Sequence, residues 1–309
     1  MPAHDAAPGD GAAPGDEASL GDRVGPSDRT GPGDEASLGD RASLGERVAP
    51  RHRTGRGDEA SLGDRVSLGE RVAPSHRTGP GDAGAAPAAD WAPSGIAASY
   101  DAVARRYARE IGGELAAKPV DRALYRLFAE LVSAFGEEAA VGDVGCGPGH
   151  VAAYLAELGL RPLGVDPSLG MLEAARDRYP DLDFALGSFA VLPVPDGGWA
   201  GAVAPYSIIH VRPATRPAAW AELARAIRTG GWLLVAFHIE AAGQPAGSLL
   251  HVAEWWGHAV DIDFHYIDPV AVVAELAISG FDLVSRTDRE PWLDIEYPSR
   301  RSYLLARRR

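Results

Sequence analysis

The residues with the clearest chemical reach lie in one decapeptide, Val141-Gly142-Asp143-Val144-Gly145-Cys146-Gly147-Pro148-Gly149-His150, with a further acid at Asp166. Glycines at this spacing let a backbone turn tightly and come close to a ligand, and a helix starting just after them offers free amides. A pyrophosphate over such a turn would be repelled by the Asp143 carboxylate, whereas a cationic amino-acid end would be drawn to it. Asp166 is placed to accept from both hydroxyls of a ribose. S-adenosylmethionine joins an adenosine to an ammonium and a sulfonium, so it suits both acids. Cys146, inside the turn, reads as a small filler rather than a nucleophile.

Methyl transfer from a sulfonium is an in-line displacement. The protein aligns the partners and excludes water, and a base is needed only if the nucleophile holds a proton. Pro205-Tyr206-Ser207-Ile208-Ile209-His210 offers His210 as the first candidate for a general base or acceptor-orienting group. His238 is the second candidate; Tyr206, with Tyr100, is expected chiefly to shape the pocket. Residues 239–267 make a long connection, of the kind that forms lids, with Trp255 and Trp256 expected to close over the acceptor. Within it Asp261, Asp263 and His265 alternate on one face, read as the wet face of an edge strand rather than a metal site.

The elements that must position these groups are legible as alternating patterns. Tyr100, Val103, Ala104, Tyr107 and Ile111 repeat at helical spacing, as do Leu124, Leu127, Phe128, Leu131 and Phe135. Strands are expected at 139–144, 161–165, 182–186, 201–206 and 232–238. Helices should follow the first two, the second capped by Ser168. A helix through Trp220, Leu223, Ala224 and Ile227 should stop at Gly230-Gly231. A helix at 269–279 and strands at 281–286 and 302–306, paired antiparallel, complete the pattern. Strands alternating with helices predict a doubly wound, Rossmann-like α/β sheet.

The run Asp143–Gly149, then Val165-Asp166-Pro167-Ser168 and Arg228–Phe237, resembles class I S-adenosylmethionine-dependent methyltransferases, closest to the small-molecule, methyltransferase-domain type. The resemblance covers nearly all of residues 96–309 and implies a seven-stranded sheet with an antiparallel last strand. It implies a cofactor site of Asp143, Gly145, Cys146, Gly147 and Gly149 at the turn, Asp166 on the ribose with Pro167 beside it, and Leu169 or Met171 along the adenine. In Gly187-Ser188-Phe189, Ser188 stands where such families often place an acid for the adenine amino group, so Ser188 or a backbone carbonyl must do that job; Phe189 is counted with it in the cofactor site. The acid that usually opens the fourth strand is also missing, in Trp199-Ala200-Gly201. The acceptor implied is a small molecule. Alternatives are a nucleic-acid or protein methyltransferase, a non-catalytic S-adenosylmethionine-binding protein, and an NAD-dependent oxidoreductase, since Gly147–Ala152 also satisfies G-x-G-x-x-A.

Composition limits these readings. A net charge of −13 over 309 residues argues against a nucleic-acid partner, which needs clustered Lys and Arg. Ala204-Pro205-Tyr206-Ser207 is not the Asn-Pro-Pro-Tyr type of tetrapeptide expected of base-flipping enzymes. No apolar run approaches a membrane span, and a single cysteine calls for no oxidising compartment, so a cytoplasmic protein is expected. The sequence leaves the oligomeric state open. Residues 1–90 hold sixteen Gly and nine Pro, no Phe, Trp, Tyr or Ile, and three copies of GDEASLGDR. That composition cannot offset the entropy of ordering, so a disordered repetitive tail is expected ahead of a domain at 91–309.

Overall fold

The computed structural model describes residues 95–136, 139–293 and 295–309. The tail expected over residues 1–90 lies outside them, as does the domain's expected first residue, Trp91.

Two helices, α1 (Ile96–Glu110) and α2 (Pro119–Ser133), are joined through a short 3-10 turn at Glu114–Ala117 and lead into the sheet. The chain then alternates through β1 (Ala140–Val144), α3 (His150–Glu157), β2 (Arg161–Asp166), α4 (Leu169–Arg178), β3 (Asp183–Leu186), β4 (Trp199–Pro205), α5 (Arg216–Ala226) and β5 (Ile227–Ala241). A hairpin, β6 (Leu249–Trp255) and β7 (His258–His265), precedes α6 (Pro269–Ile278), β8 (Phe281–Arg289) and β9 (Ser299–Arg308). The main sheet has seven strands in the order β3-β2-β1-β4-β5-β9-β8. β1 pairs parallel with both β2 and β4, whereas β9 runs antiparallel between β5 and β8. From β1 the chain moves outward through β2 to β3 and then crosses to β4 on the other side of β1, and the crevice at that reversal is where open α/β sheets hold ligands.

Alternation along the central strands sends apolar side chains to both faces. Phe128 and Val132 of α2 and Val151 and Leu155 of α3 cover Val141, Val203, Leu234 and Leu305. Trp220 and Leu223 of α5 and Val272 and Leu276 of α6 cover Val144, Leu233, Val235 and Leu304 on the other face. Two side-chain caps fix helix starts: the Ser168 hydroxyl accepts from Met171 N–H, as expected, and the Asp268 carboxylate accepts from Val270 N–H.

Two expectations are corrected. The helix through Trp220 does not run to Gly230-Gly231; it ends at Ala226, and Ile227 already pairs with Trp199 as the first residue of β5. Gly230, at φ 80°, instead belongs to a bulge that shifts the register before Gly201 meets Trp232. The strand expected at 232–238 is also longer, and the connection at 239–267 is mostly regular structure. β5 runs on to Ala241, and most of the rest forms the hairpin, closed by Trp256 (φ 54°) and Gly257 (φ 82°), both left-handed as a two-residue hairpin turn requires.

Candidate active site

A cavity opens at the C-terminal ends of β1, β2 and β4, with α1 and the start of α2 forming its opposite wall. Its volume is ≈ 130 Å³. Asp143, Gly145, Cys146, Gly147, Asp166, Pro167, Met171, Ser188, Phe189, Tyr206 and His210 all line it, so the structure gathers most of the residues singled out above. Gly149 and His238 do not line it.

The turn after β1 is built by backbone constraints. Gly145 N–H and Cys146 N–H both donate to Val165 O, at 2.7 and 3.1 Å, which ties the turn to β2. Gly145 has φ 75°, and a Cβ there would lie 2.2 Å from the Ser207 Cβ, so nothing larger fits. Gly147 has φ 51° and no heavy atom within 4 Å of its would-be Cβ; that side faces open space. Gly149 serves the fold instead: it precedes α3, and a Cβ there would strike the Phe184 ring at 2.7 Å. Cys146 packs with Phe184 and Leu172, and burial pushes its thiol well above the usual range, which keeps it an inert filler.

The two acids differ in how they are held. Asp166 accepts from Gly147 N–H (2.8 Å) and Ser168 N–H (2.9 Å), one bond to each oxygen, and a lone pair remains on each. Burial pushes its pKa up to about 6 against those two amides. Asp143 is fully buried, and neither oxygen has a hydrogen-bond partner. Burial pushes it up to about 7, opposed by the nearby Ala152 N–H and reinforced by the Asp166 charge. A buried carboxyl without partners is costly, and a cationic group relieves that cost. Met171 is buried in the wall beside Asp166 and Pro167, whereas Leu169 is 56% exposed and outside it; of the pair, Met171 takes the wall position. Ser188 and Val191 close a turn on each other through their backbones, at 3.1 and 3.2 Å, leaving Phe189 buried at the cavity edge.

At the other end His210 sits on a 3-10 turn after β4. Its Nδ1 lies 2.9 Å from the Asp263 carbonyl, which only accepts, so Nδ1 carries the proton. Nε2 is therefore the acceptor for the Tyr100 hydroxyl, 2.9 Å away. Burial lowers the ring's pKa to about 4, so it is neutral at physiological pH.

Tyr206, at φ 55°, is held in a strained conformation by a buried network. Its hydroxyl lies 2.6 Å from the Tyr303 hydroxyl and 3.3 Å from Asp121 Oδ1. Asp121 also pairs with Arg289 (3.0 Å), and Arg289 pairs with Glu296. Glu296 further holds Arg301 (3.2 Å) and Lys118 (3.4 Å), and Lys118 pairs with Glu114 at 2.7 Å. The Tyr206 hydroxyl is thus committed, and the ring is what the cavity meets. His238 stacks on that ring at 5.1 Å, bonds Ser299 through Nδ1 at 2.6 Å, and stands behind the wall. Trp255 and Trp256 likewise stand outside the wall, stacked on each other and packed against α1 through Tyr107. The hairpin backs α1, whose Tyr100 and Tyr107 form the lining.

Glu114, Lys118, Asp121, Tyr107, Tyr125 and His150 also line the cavity and were not singled out from the sequence. His150 stood in the quoted turn, and the seven-residue step from Tyr100 to Tyr107 was a signal for a shared helix face. The network around Glu296 left none, because its members are scattered from 114 to 303.

Residues 141–231 match the family described as "Methyltransferase domain". The chain is 31% identical over 147 residues, 48% of its own length and 60% of the relative's, to a demethylmenaquinone methyltransferase of Renibacterium salmoninarum. It is 33% identical over 156 residues to a malonyl-[acyl-carrier protein] O-methyltransferase of Serratia marcescens, covering 50% of the chain and 57% of the relative. It thus spans less than two thirds of these curated relatives. A solved S-adenosylmethionine-dependent methyltransferase from Methanosarcina mazei shares the fold, with a TM-score of 0.50 at 16% identity over 56% of this chain and 93% of that one.

Proposed function

We propose that this chain, which carries a class I S-adenosylmethionine-dependent methyltransferase domain, transfers a methyl group from that cofactor to a small-molecule acceptor. The observation that carries the reading is Asp143: a fully buried carboxylate in the cavity wall with no partner, beside a glycine turn whose Gly147 faces open space. An ammonium-bearing ligand satisfies that acid; a dinucleotide pyrophosphate would be repelled by it.

When bound, the cofactor supplies a methyl group activated by positive sulfur. The protein's part is binding and alignment. Asp143 receives the ammonium, and the free lone pairs of Asp166 receive the ribose hydroxyls. Pro167 and Met171 flank the adenine, with Ser188 and Phe189 at its edge. Tyr100, Tyr107, Tyr125 and Tyr206 wall the remaining space and exclude water. His210, neutral and fixed in one tautomer, orients the Tyr100 hydroxyl at the acceptor end.

An acceptor of small size agrees with a cavity walled by tyrosines, with the acidic net charge, and with a relative named for demethylmenaquinone. Among the described residues no helix is long and apolar enough to cross a membrane.

Calorimetry with S-adenosylhomocysteine tests the reading. The protein should bind it, and Asp166→Ala should weaken binding by roughly 1.5–3 kcal/mol, the scale of charge-assisted hydrogen bonds. Unchanged affinity in the folded variant would remove Asp166 from the site, and thermal stabilisation by NAD rather than S-adenosylhomocysteine would replace the whole reading.

A further inference from the structure

Among the residues that line the cavity, two carry buried polar atoms without a hydrogen-bond partner: Asp143, through both carboxylate oxygens, and His150, through Nδ1. They flank the same glycine turn. Asp143 is near the end of β1, and His150 is the first residue of α3. Buried polar atoms are nearly always paired, and leaving one unpaired is costly, so two orphans in one wall point to a ligand that completes both.

Their chemistry is complementary. An ionised carboxylate only accepts, which suits an ammonium. A neutral imidazole nitrogen bearing its proton donates, which suits a carboxylate. The surroundings of His150 favour an anion in particular. Its position at the start of α3 faces the positive end of the helix dipole. Burial lowers its pKa, Glu114 pulls the other way, and the positive charges of Lys118 and Arg178 lower it further. The charges around the ring are mixed, so it is the helix dipole that favours a negative guest.

We propose that His150 binds the carboxylate of the cofactor's amino-acid end through Nδ1–H, so that Asp143 and His150 together recognise its zwitterion. The assignment rests on the cofactor reading above. It fixes which way the amino-acid end lies across the turn, with its ammonium toward β1 and its carboxylate toward α3.

The experiment compares three probes by calorimetry on the full chain. S-adenosylhomocysteine carries both charged groups, 5′-deoxy-5′-(3-aminopropylthio)adenosine keeps the amine alone, and 5′-methylthioadenosine has neither. His150→Ala should weaken S-adenosylhomocysteine binding by tenfold or more and leave the other two within twofold. His150→Asn, whose amide donates near the position of Nδ1, should restore most of the loss. Thermal melts confirm that both variants are folded. Equal weakening of all three probes, or no change for S-adenosylhomocysteine, would overturn the assignment while leaving the cofactor reading intact. A wild-type protein that binds none of the three would overturn the cofactor reading, and this assignment with it.

Discussion

The two ends of the cavity are built on opposite principles. At the glycine turn, polar groups are left open: both Asp143 oxygens and His150 Nδ1 have no partner, and Asp166 keeps a lone pair on each oxygen. At the far end, polar groups are committed. Tyr206 is held by Tyr303 and Asp121, Asp121 by Arg289, Glu296 by three cations, and both ring nitrogens of His210 are engaged. The first end is unfinished until a ligand arrives. The second is finished beforehand and holds aromatic rings at fixed angles around the rest of the cavity. Ligand energy should therefore reside at the turn, and folding energy in the network.

The largest effect that separates the two ends is expected from Glu296→Ala. Its carboxylate is almost fully buried and neutralises parts of Arg289, Arg301 and Lys118. Removing one member of a buried ionic network leaves uncompensated charge and costs about 3–5 kcal/mol. For a domain of this size that lowers the melting temperature by roughly 10 °C. Affinity for S-adenosylhomocysteine in the remaining folded protein should stay within about threefold. A folded Glu296→Ala protein that loses cofactor affinity while keeping its melting point would reverse the comparison.

Gly147→Val should do the converse. At φ 51° a β-branched residue is strained, and its side chain would enter the open space on that side of the turn. Binding of S-adenosylhomocysteine should fall by at least about a hundredfold, roughly 3 kcal/mol. Stability should fall by only about 1–2 kcal/mol, the cost of a strained left-handed residue. Normal affinity in the folded variant would move the ligand away from this turn.

The same contrast explains what could be read from the sequence. The turn end is local: residues 143–150 and 166–171 are contiguous, and periodicity places the strands and helices that aim them. Ser168 as a cap and the antiparallel final strand were legible for the same reason. The network end joins Asp121 to Tyr303 and Lys118 to Glu296, and no local pattern announces such pairs. Asp263 meets His210 through a backbone carbonyl, which leaves no trace in residue type at all. His238 reads as the second candidate because it closes the expected strand at 232–238, yet only packing reveals that the Tyr206 ring stands in front of it. The Gly230 error had a similar origin. Paired glycines suit a helix end and a strand bulge equally well, and the pairing of Ile227 with Trp199 decides between them.

The smallest effect is a pH dependence that belongs to the turn alone. In the free protein burial holds Asp143 at about 7, so at pH 5.5 its carboxyl is mostly protonated. An ammonium partner favours the ionised form, and binding must then expel the proton. Affinity for S-adenosylhomocysteine should rise with pH up to about 7 and level off near 8. Between pH 5.5 and 8 the gain should be of order tenfold, with proton release visible as a buffer-dependent heat. Stability of the free protein cannot isolate this term, because two groups of opposite sign share the window. Asp143 has a raised folded pKa, so its contribution to stability declines as pH rises from about 4 to 7. His210, His238 and His150 have lowered folded pKa values, so theirs is lost as pH falls below about 6.5, where the unfolded chain takes up protons. His210, held at about 4, stays neutral in the folded protein down to pH 5.5, so it drops out of the affinity measurement. Asp166, held at about 6, adds a smaller slope of the same sign as Asp143. Asp143→Asn should therefore remove most of the pH dependence and retain only the part below about pH 6.5. An undiminished slope in that variant would leave Asp143 without a part in binding the ammonium.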